Sequence, residues 1–374
     1  MRIAMIGQKR TGSREGGVEV VVGELARRMA ARGHEVTCYD RAGEGAPSEP
    51  YDRDGYRVVP VRTIDRRGLA ALSSSFFATL AALRDRPDVI HYHAEGPCVP
   101  LLLAHAAGVR TVATIHGLDW QRAKWGGLAS RYIKLGEATA ARRADELIVL
   151  SRGNRDYFRN AYGREATLVP NGVEPEPNLP ACEIVARWGL EEGSYLLYLG
   201  RIVPEKRPEL LVQAFRGLDT DKRLVIAGGS SDTDGFEVSI REVAAGDPRI
   251  LFTGRVEGDL LSELYSNAYA YVLPSDVEGM PMSLLEAMGH GRCCVTSDIP
   301  ECADVLAGTG VTFPAGNGDA LRETLTDLLA DPTRAHALGK AACERVLSEY
   351  GWDSVVDRTL ALYAGDIAQV GDGR

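Results

Sequence analysis

Ala270-Tyr271-Val272-Leu273-Pro274-Ser275-Asp276-Val277-Glu278-Gly279-Met280-Pro281-Met282-Ser283-Leu284-Leu285-Glu286-Ala287-Met288 reads as a short buried strand, a loop and the start of a helix. Proline suits the first helical position, where its missing N–H costs nothing, so the helix is expected to begin near Pro281. The first N–H groups, around residues 281 to 284, then form an anion site fit for a phosphate or diphosphate. Glu278 precedes that site and Glu286 follows it. A carboxylate beside a diphosphate is repelled unless it faces something else, and a pair of sugar hydroxyls donates two hydrogen bonds to one carboxylate. From Pro281 to Glu286 a helix rises about 7.5 Å, comparable with the reach from a diphosphate to the ribose beyond it. The spacing suggests a nucleotide sugar, with the hexose near Glu278, the diphosphate on the helix start and the ribose near Glu286.

The same strand-then-helix alternation runs through the chain. In the first half strands are expected at residues 2–7, 35–39, 57–61, 88–93, 111–116, 146–150 and 167–170, with helices between most of them. In the second half they are expected at 195–199, 224–227, 250–253, 271–273, 294–297 and 311–313. Strands separated by helices form parallel βαβ units, so the fold class is α/β with two doubly wound domains. The proline-dense stretch Asn171 to Pro180 suits a semi-rigid hinge. This places an N-terminal domain at 1–172, a linker at 173–190 and a C-terminal domain at 191–352.

At 374 residues, two domains are favoured over one core. The composition, 45% hydrophobic and 25% charged, is that of a soluble globular chain. No apolar run approaches the ~18 residues that span a bilayer, and no signal peptide precedes the first strand. A cytoplasmic site is expected. The seven cysteines show no Cys-x-x-Cys spacing, which argues for reduced, mostly buried thiols. The net charge of −9 conceals an asymmetry. Residues 1–172 hold 26 Lys and Arg against 19 Asp and Glu, or +7, and the remainder holds 17 against 33, or −16. That split argues against nucleic-acid binding by the whole chain and lets the basic half meet anionic lipid or a phosphorylated acceptor.

Open α/β sheets bind ligands beyond the carboxyl ends of their strands. Arg201 and Lys206 follow the first strand of the second domain, where two cations can clamp a diphosphate and stabilise the charge that grows as its glycosidic bond breaks. In the first domain Gly16 and Gly17 lie between the first strand and its helix, the layout of a phosphate-cradling turn. His116 ends a strand and is expected to project into an interdomain cleft. His91 and His93 share a strand face and, with Glu95, imitate a metal triad, but no fourth ligand with convincing spacing exists and no metal is expected. Trp120, Arg122, Lys124 and Trp125 interleave aromatic rings with cations, a pattern for sugar stacking, membrane interfaces or a lipid diphosphate. Asp40 ends the second strand where a ribose-binding acid is expected, which keeps an NAD-dependent oxidoreductase in view although the Gly-x-Gly-x-x-Gly fingerprint is absent.

Six ordered motifs carry a closer resemblance. They are Gly16-Gly17 ahead of a helix, His91 to Pro97, His116-Gly117-Leu118-Asp119-Trp120, Val169-Pro170-Asn171-Gly172-Val173, Gly200 to Lys206, and the Glu-x7-Glu pattern of Glu278 and Glu286. Together they closely resemble glycosyltransferase family 4, the retaining enzymes dependent on nucleotide sugars. The resemblance implies the GT-B fold, two Rossmann-like domains facing across a cleft, with the last helix, at 353–370, packing back on the first domain. It implies that Arg201 and Lys206 contact the donor diphosphate, that His116 approaches the donor sugar, that Val256 approaches the base, and that Gly16 and Gly17 lie near the donor phosphates or the acceptor. Gly279, Met280, Pro281, Met282, Ser283 and Leu284 frame the donor site, and His93, Glu95, Trp120, Arg122 and Lys124 are the acceptor-side candidates. The expected reaction moves a sugar from a nucleotide diphosphate sugar, a UDP-sugar favoured, to an acceptor hydroxyl with retention. It needs no cofactor or metal and serves cell-surface glycan or glycoconjugate synthesis. A lipid-linked acceptor is compatible with this reading, with weak association at the inner face of an anionic membrane and no nucleic-acid partner. Alternatives are glycosylation of a soluble cyclitol or secondary metabolite, the oxidoreductase, and a non-catalytic nucleotide-sugar binder.

Overall fold

The computed structural model describes residues 1–43, 45–64, 69–121, 127–230 and 234–366. They divide into two compact units, Met1–Gly172 with the C-terminal segment from Trp352, and Val173–Gly351.

The first unit runs β1 (Arg2–Ile6), α1 (Gly17–Ala31), β2 (Glu35–Arg41), β3 (Tyr51–Arg53), β4 (Tyr56–Val61), α2 (Ala70–Asp85), β5 (Val89–His93), α3 (Leu101–Ala106), β6 (Arg110–Ile115), α4 (Gly127–Arg143), β7 (Glu146–Val149), α5 (Arg152–Tyr162) and β8 (Thr167–Leu168). Its eight strands are ordered β3-β4-β2-β1-β5-β6-β7-β8. All pairings are parallel except the β3–β4 hairpin, whose first strand is absent from the sequence-based expectation. Asp54 and Gly55 turn it with φ of +48° and +84°, and Asp-Gly flanked by strand formers is the expected two-residue hairpin signal. The central strands β1 and β5 are buried continuously rather than at alternate residues, save for Arg2. The last helix, Trp352–Ala364, belongs to this unit; residues 367–370 of the expected span lie outside the described residues. Trp352 lies so close to Gly172 that a Cβ there would come within 2.3 Å of the indole.

The second unit runs α6 (Glu183–Trp188), β9 (Tyr195–Leu199), α7 (Pro208–Arg216), β10 (Arg223–Ala227), α8 (Asp234–Ala244), β11 (Ile250–Gly254), α9 (Asp259–Asn267), β12 (Ala270–Leu273), α10 (Met282–Gly289), β13 (Cys293–Ser297), α11 (Pro300–Leu306), β14 (Val311–Phe313), α12 (Gly318–Ala330) and α13 (Pro332–Glu349). Its six strands are wholly parallel and ordered β11-β10-β9-β12-β13-β14. Leu196, Val225, Val272, Val295, Leu284, Leu285 and Met288 are fully buried in its core, each contributing on the order of 1.5–3 kcal/mol of transfer free energy.

The stretch read as a hinge is not a free linker. Glu263 accepts the N–H groups of Cys182, Glu183 and Ile184 at 3.0, 2.8 and 3.1 Å, capping α6. The Leu179 N–H is held by Ser266 Oγ at 3.0 Å, and its carbonyl by Asn267 at 3.0 Å. A proline-dense sequence limits the conformations the chain must give up, and buried polar groups on α9 fix it to the second unit.

In both sheets the strand order reverses about the first strand, between β1 and β5 and between β9 and β12. These are the switch points where loops from neighbouring strands leave in opposite directions and open a crevice.

Candidate donor and acceptor sites

At the second unit's switch point, the loop after β9 meets the loop after β12. Lys206 closes a 3-10 turn, Pro204–Lys206, and its stem passes over Gly200, where a Cβ would touch Lys206 Cδ at 3.4 Å. Its Nζ donates to Glu278 Oε1 at 2.6 Å, and Ser275 Oγ donates to the same oxygen at 2.7 Å. The two charged side chains are 12% and 9% exposed, so the pair is largely desolvated and neither charge is stable there alone. Ser275 is anchored in turn by the Ser297 hydroxyl, which donates to its carbonyl. The Asp276 N–H reaches Glu205 O at 2.9 Å. The sequence places Lys206 on a diphosphate and Glu278 on a hexose, and gives no sign that they touch each other. Arg201 lies half-buried in the same loop, its carbonyl accepting from Tyr198 Oη at 2.9 Å.

Helix α10 starts one residue later than expected. Pro281 is its N-cap, with an extended ψ of 114°, and its carbonyl accepts the Leu284 and Leu285 N–H groups at 3.1 and 3.3 Å. The Leu284 N–H is therefore spent inside the helix, which corrects its placement as a phosphate donor. Met282 and Ser283 carry the first-turn N–H groups that precede the ladder. Gly279, Met280 and Pro281 are buried beneath this turn, whereas Met282 and Ser283 are half-buried. Tyr271 Oη donates to Ser283 Oγ at 2.7 Å. One turn along, Glu286 Oε2 accepts from Tyr265 Oη at 2.8 Å, and the Tyr265 ring stacks on His290 at 5.3 Å and 13°. Neither Tyr265 nor His290 is singled out by the sequence. Val256 is half-buried in the loop after β11.

At the first unit's switch point, β1 ends at Gly7. Its φ is +130° and a Cβ there would lie 2.1 Å from the His93 carbonyl oxygen, so only glycine fits. Gly228 stands in the same relation to the Gly200 carbonyl in the second unit, at φ +136° and 1.9 Å. Asp40 is held by the loop after β1. Its Oδ1 accepts from Thr11 Oγ1 at 2.6 Å and Gln8 at 3.1 Å, and its Oδ2 accepts the Thr11 N–H at 2.8 Å. Burial nonetheless raises its carboxyl above the ordinary range. The acid expected to hold a dehydrogenase ribose is thus committed to the loop after β1. Gly16 caps α1 and Gly17 begins it, and Glu19 folds back over them, accepting the Lys9 N–H at 3.0 Å.

His91, His93 and His116 form a row. His91 Nδ1 is 2.6 Å from Tyr363 Oη of the last helix and Nε2 is 2.7 Å from Thr114 Oγ1, so both nitrogens are occupied by hydroxyls and the imitation of a metal triad ends there. Burial drives its imidazole down to about 3. His93 Nδ1 lies 3.1 Å from His116 Nε2. His93 and Glu95, both read from the sequence as acceptor-side candidates, are fully buried. Glu95 Oε2 accepts the Asp119 N–H at 2.9 Å, which shapes the turn after His116. Gly136 of α4, also absent from the sequence-based site, permits this packing, because a Cβ there would fall 1.9 Å from Glu95 O. An isolated glycine in a helical pattern is its only signal. Trp120 is half-buried, with Lys134 Nζ 4.1 Å above its ring. Arg122, Lys124 and Trp125 lie outside the described residues.

The profile described as Glycosyltransferase Family 4 matches residues 15–177, and that described as Glycosyl transferases group 1 matches residues 183–345. The chain is 30% identical over 387 residues to the GDP-mannose-dependent alpha-(1-6)-phosphatidylinositol monomannoside mannosyltransferase of Mycolicibacterium smegmatis, covering 95% of this chain and 96% of that one. It is 28% identical over 398 residues to the alpha-maltose-1-phosphate synthase of the same organism, covering 97% and 99%. Among solved structures, sucrose-phosphate synthase from Thermosynechococcus elongatus aligns with a TM-score of 0.84 at 23% identity, over 99% of this chain and 100% of that one.

Proposed function

The chain belongs to glycosyltransferase family 4, and from that premise we propose that its second unit holds the donor and its first presents the acceptor hydroxyl. It is a glycosyltransferase of the GT-B fold that uses nucleotide-sugar donors. The observation that carries the residue assignment is the Lys206–Glu278 contact at the switch point, one loop ahead of α10. Lys206 Nζ anchors Glu278 Oε1, and a carboxylate accepts hydrogen bonds from two hexose hydroxyls. An ammonium has three N–H donors, so Lys206 reaches a phosphate oxygen with another. Arg201 and the N–H groups of Met282 and Ser283 complete the diphosphate site, Glu286 takes the ribose, and Val256 borders the base.

In the reaction the bond from the sugar's anomeric carbon to the β-phosphate oxygen breaks and its electron pair leaves with the nucleoside diphosphate. The acceptor oxygen bonds to the same carbon on the same face, and its proton passes to the leaving phosphate. Charge grows on that phosphate in the transition state, where preorganised cations and helix N–H groups stabilise it more than in the ground state. His116 hydrogen-bonds the donor sugar. These protein cations make a metal unnecessary, and turnover that survives EDTA is the expected result; loss of turnover restored by magnesium or manganese contradicts it.

Two donors merit equal test, GDP-mannose, which the mycobacterial mannosyltransferase uses by its name, and a UDP-sugar. For the acceptor we favour a lipid-linked one met at the cytoplasmic face of an anionic membrane. Among the described residues no helix is long and apolar enough to cross a membrane. Helix α4 exposes Leu128 and Leu135 among Arg131, Lys134 and Arg142, and the adjoining α3 exposes Leu102 and Leu103. Apolar side chains flanked by cations suit a surface of anionic headgroups. A thermal-shift and turnover panel of nucleotide sugars tests the donor, since a ligand of the folded state raises the melting temperature by mass action. Stabilisation by NAD rather than by any nucleotide sugar overturns the reading.

A further inference from the structure

His93 and His116 share one hydrogen bond, and only one of the two facing nitrogens can carry its proton. His93 Nδ1 and His116 Nε2 are 3.1 Å apart. The other nitrogen of His93, Nε2, is buried with no hydrogen-bond partner among the described residues. If the His93 proton were on Nε2, a buried N–H donor would be left unmatched, which folded proteins rarely tolerate. With the proton on Nδ1, the unmatched atom is only a lone pair, and the N–H donates to His116.

We propose that His93 is a positioning residue that fixes the tautomer of His116, holding its Nε2 as an acceptor and its proton on Nδ1, so that the half-exposed ring acts as a neutral hydrogen-bond donor. The ionisable groups around the pair are His91 on the same strand face, with its ring centroid 4.0 Å from that of His93, Tyr363 behind His91, and Glu95 and Asp119 in the turns that follow. Burial, followed by the nearness of His91 and His116, holds the His93 imidazole far below its ordinary range. A protonated His116 would point an N–H at the N–H of His93, so the imidazolium is disfavoured as well. The inference rests on the proposed contact of His116 with the donor sugar for its catalytic meaning, though not for its structural content.

The test is nitrogen-15 NMR of the histidine-labelled, substrate-free full chain at pH 7, with His93→Asn and His116→Gln variants to assign the resonances. The expected spectrum has His93 protonated at Nδ1 and bare at Nε2, and His116 the same. A proton on His93 Nε2, an averaged pair of nitrogens in His116, or a doubly protonated His116 overturns the proposal. Since no turnover is needed, failure here is separate from failure of the glycosyl-transfer reading. Activity adds a second readout. His93→Leu removes the donor and is expected to lower kcat about three- to tenfold. His93→Asn places an amide N–H at the Nδ1 position and is expected to recover most of that loss. A correctly folded Asn variant as slow as the Leu variant contradicts the role.

Discussion

Lys206 and Glu278, 72 residues apart in the chain, meet at 2.6 Å. They do so because the sheet order reverses between β9 and β12, so the loops after those strands converge. A lysine held only by a loop at a strand's carboxyl end would, on replacement by alanine, lose turnover with little change in stability. The contact alters that expectation. Removing the ammonium takes away the cation that touches a nearly buried carboxylate, which costs on the order of 3 kcal/mol. A Lys206→Met, Glu278→Gln double variant is expected to regain much of the melting temperature while remaining inactive. Arg201→Ala, whose side chain is only half-buried, is expected to keep its melting temperature and lose about 10²–10³ in kcat. A stable Lys206→Ala variant with normal turnover refutes the paired role.

Tyr265 separates donor affinity from chemistry. Its hydroxyl donates to Glu286 Oε2 at 2.8 Å, and Glu286 is assigned to a ribose that is bound alike in the ground and transition states. Tyr265→Phe is therefore expected to raise the donor KM about tenfold and leave kcat near wild type, as loss of a hydrogen bond to a charged group does. A fall in kcat with unchanged KM would remove Glu286 from the ribose.

The buried histidine row makes the first unit acid-sensitive. His91 is held near 3 in the folded chain against 6.5 when free. As pH falls below about 6.5 the unfolded state takes up a proton that the folded state refuses, so stability is full above that pH and declines towards pH 3. By pH 5 the loss from His91 alone amounts to about 2 kcal/mol. His93 acts in the same direction, and Asp40, raised by burial, in the opposite one. Urea midpoints at pH 7 and pH 5 should therefore differ less in His91→Gln than in wild type. An equal difference in both proteins contradicts the assignment.

Much of the fold is legible because its signals are local. Apolar runs such as Ala270 to Leu273 fill strands buried throughout, and the strand, loop and proline around Glu278 announce a helix start. The β3–β4 hairpin is legible too, in Asp54-Gly55, but three residues on one side of it are too few to show alternation. What the sequence hides depends on strand order. Neither the contact of Lys206 with Glu278 nor the stacking of Tyr265 on His290 has a periodic signature, and the same holds for the meetings of Tyr363 with His91 and of Gly136 with Glu95. The proline-rich stretch after Asn171 begins where the two units divide, but its partners Glu263, Ser266 and Asn267 lie on a helix that carries no mark of that duty.

The apolar face of α4 gives the membrane reading a direct check. Leu128 and Leu135 are 81% and 55% exposed, so their replacement by glutamate is expected to leave the melting temperature unchanged. Co-sedimentation with vesicles containing phosphatidylglycerol should fall several-fold in the double variant, and in wild type as salt rises, because a Debye length of about 8 Å at 0.15 M screens surface charge. Binding absent in wild type even at low salt favours a soluble acceptor.

Sugar transfer from a nucleotide diphosphate sugar through the site built around Glu278 must release nucleoside diphosphate. Release of nucleoside diphosphate from GDP-mannose and from UDP-sugars, followed chromatographically in wild type and in Glu278→Gln, tests it most directly. Wild type is expected to release nucleoside diphosphate from at least one of these donors, and the variant to lose about 10² or more in kcat while the donor still raises its melting temperature. Release at equal rates by the two proteins, or no release and no donor-induced stabilisation in wild type, contradicts it.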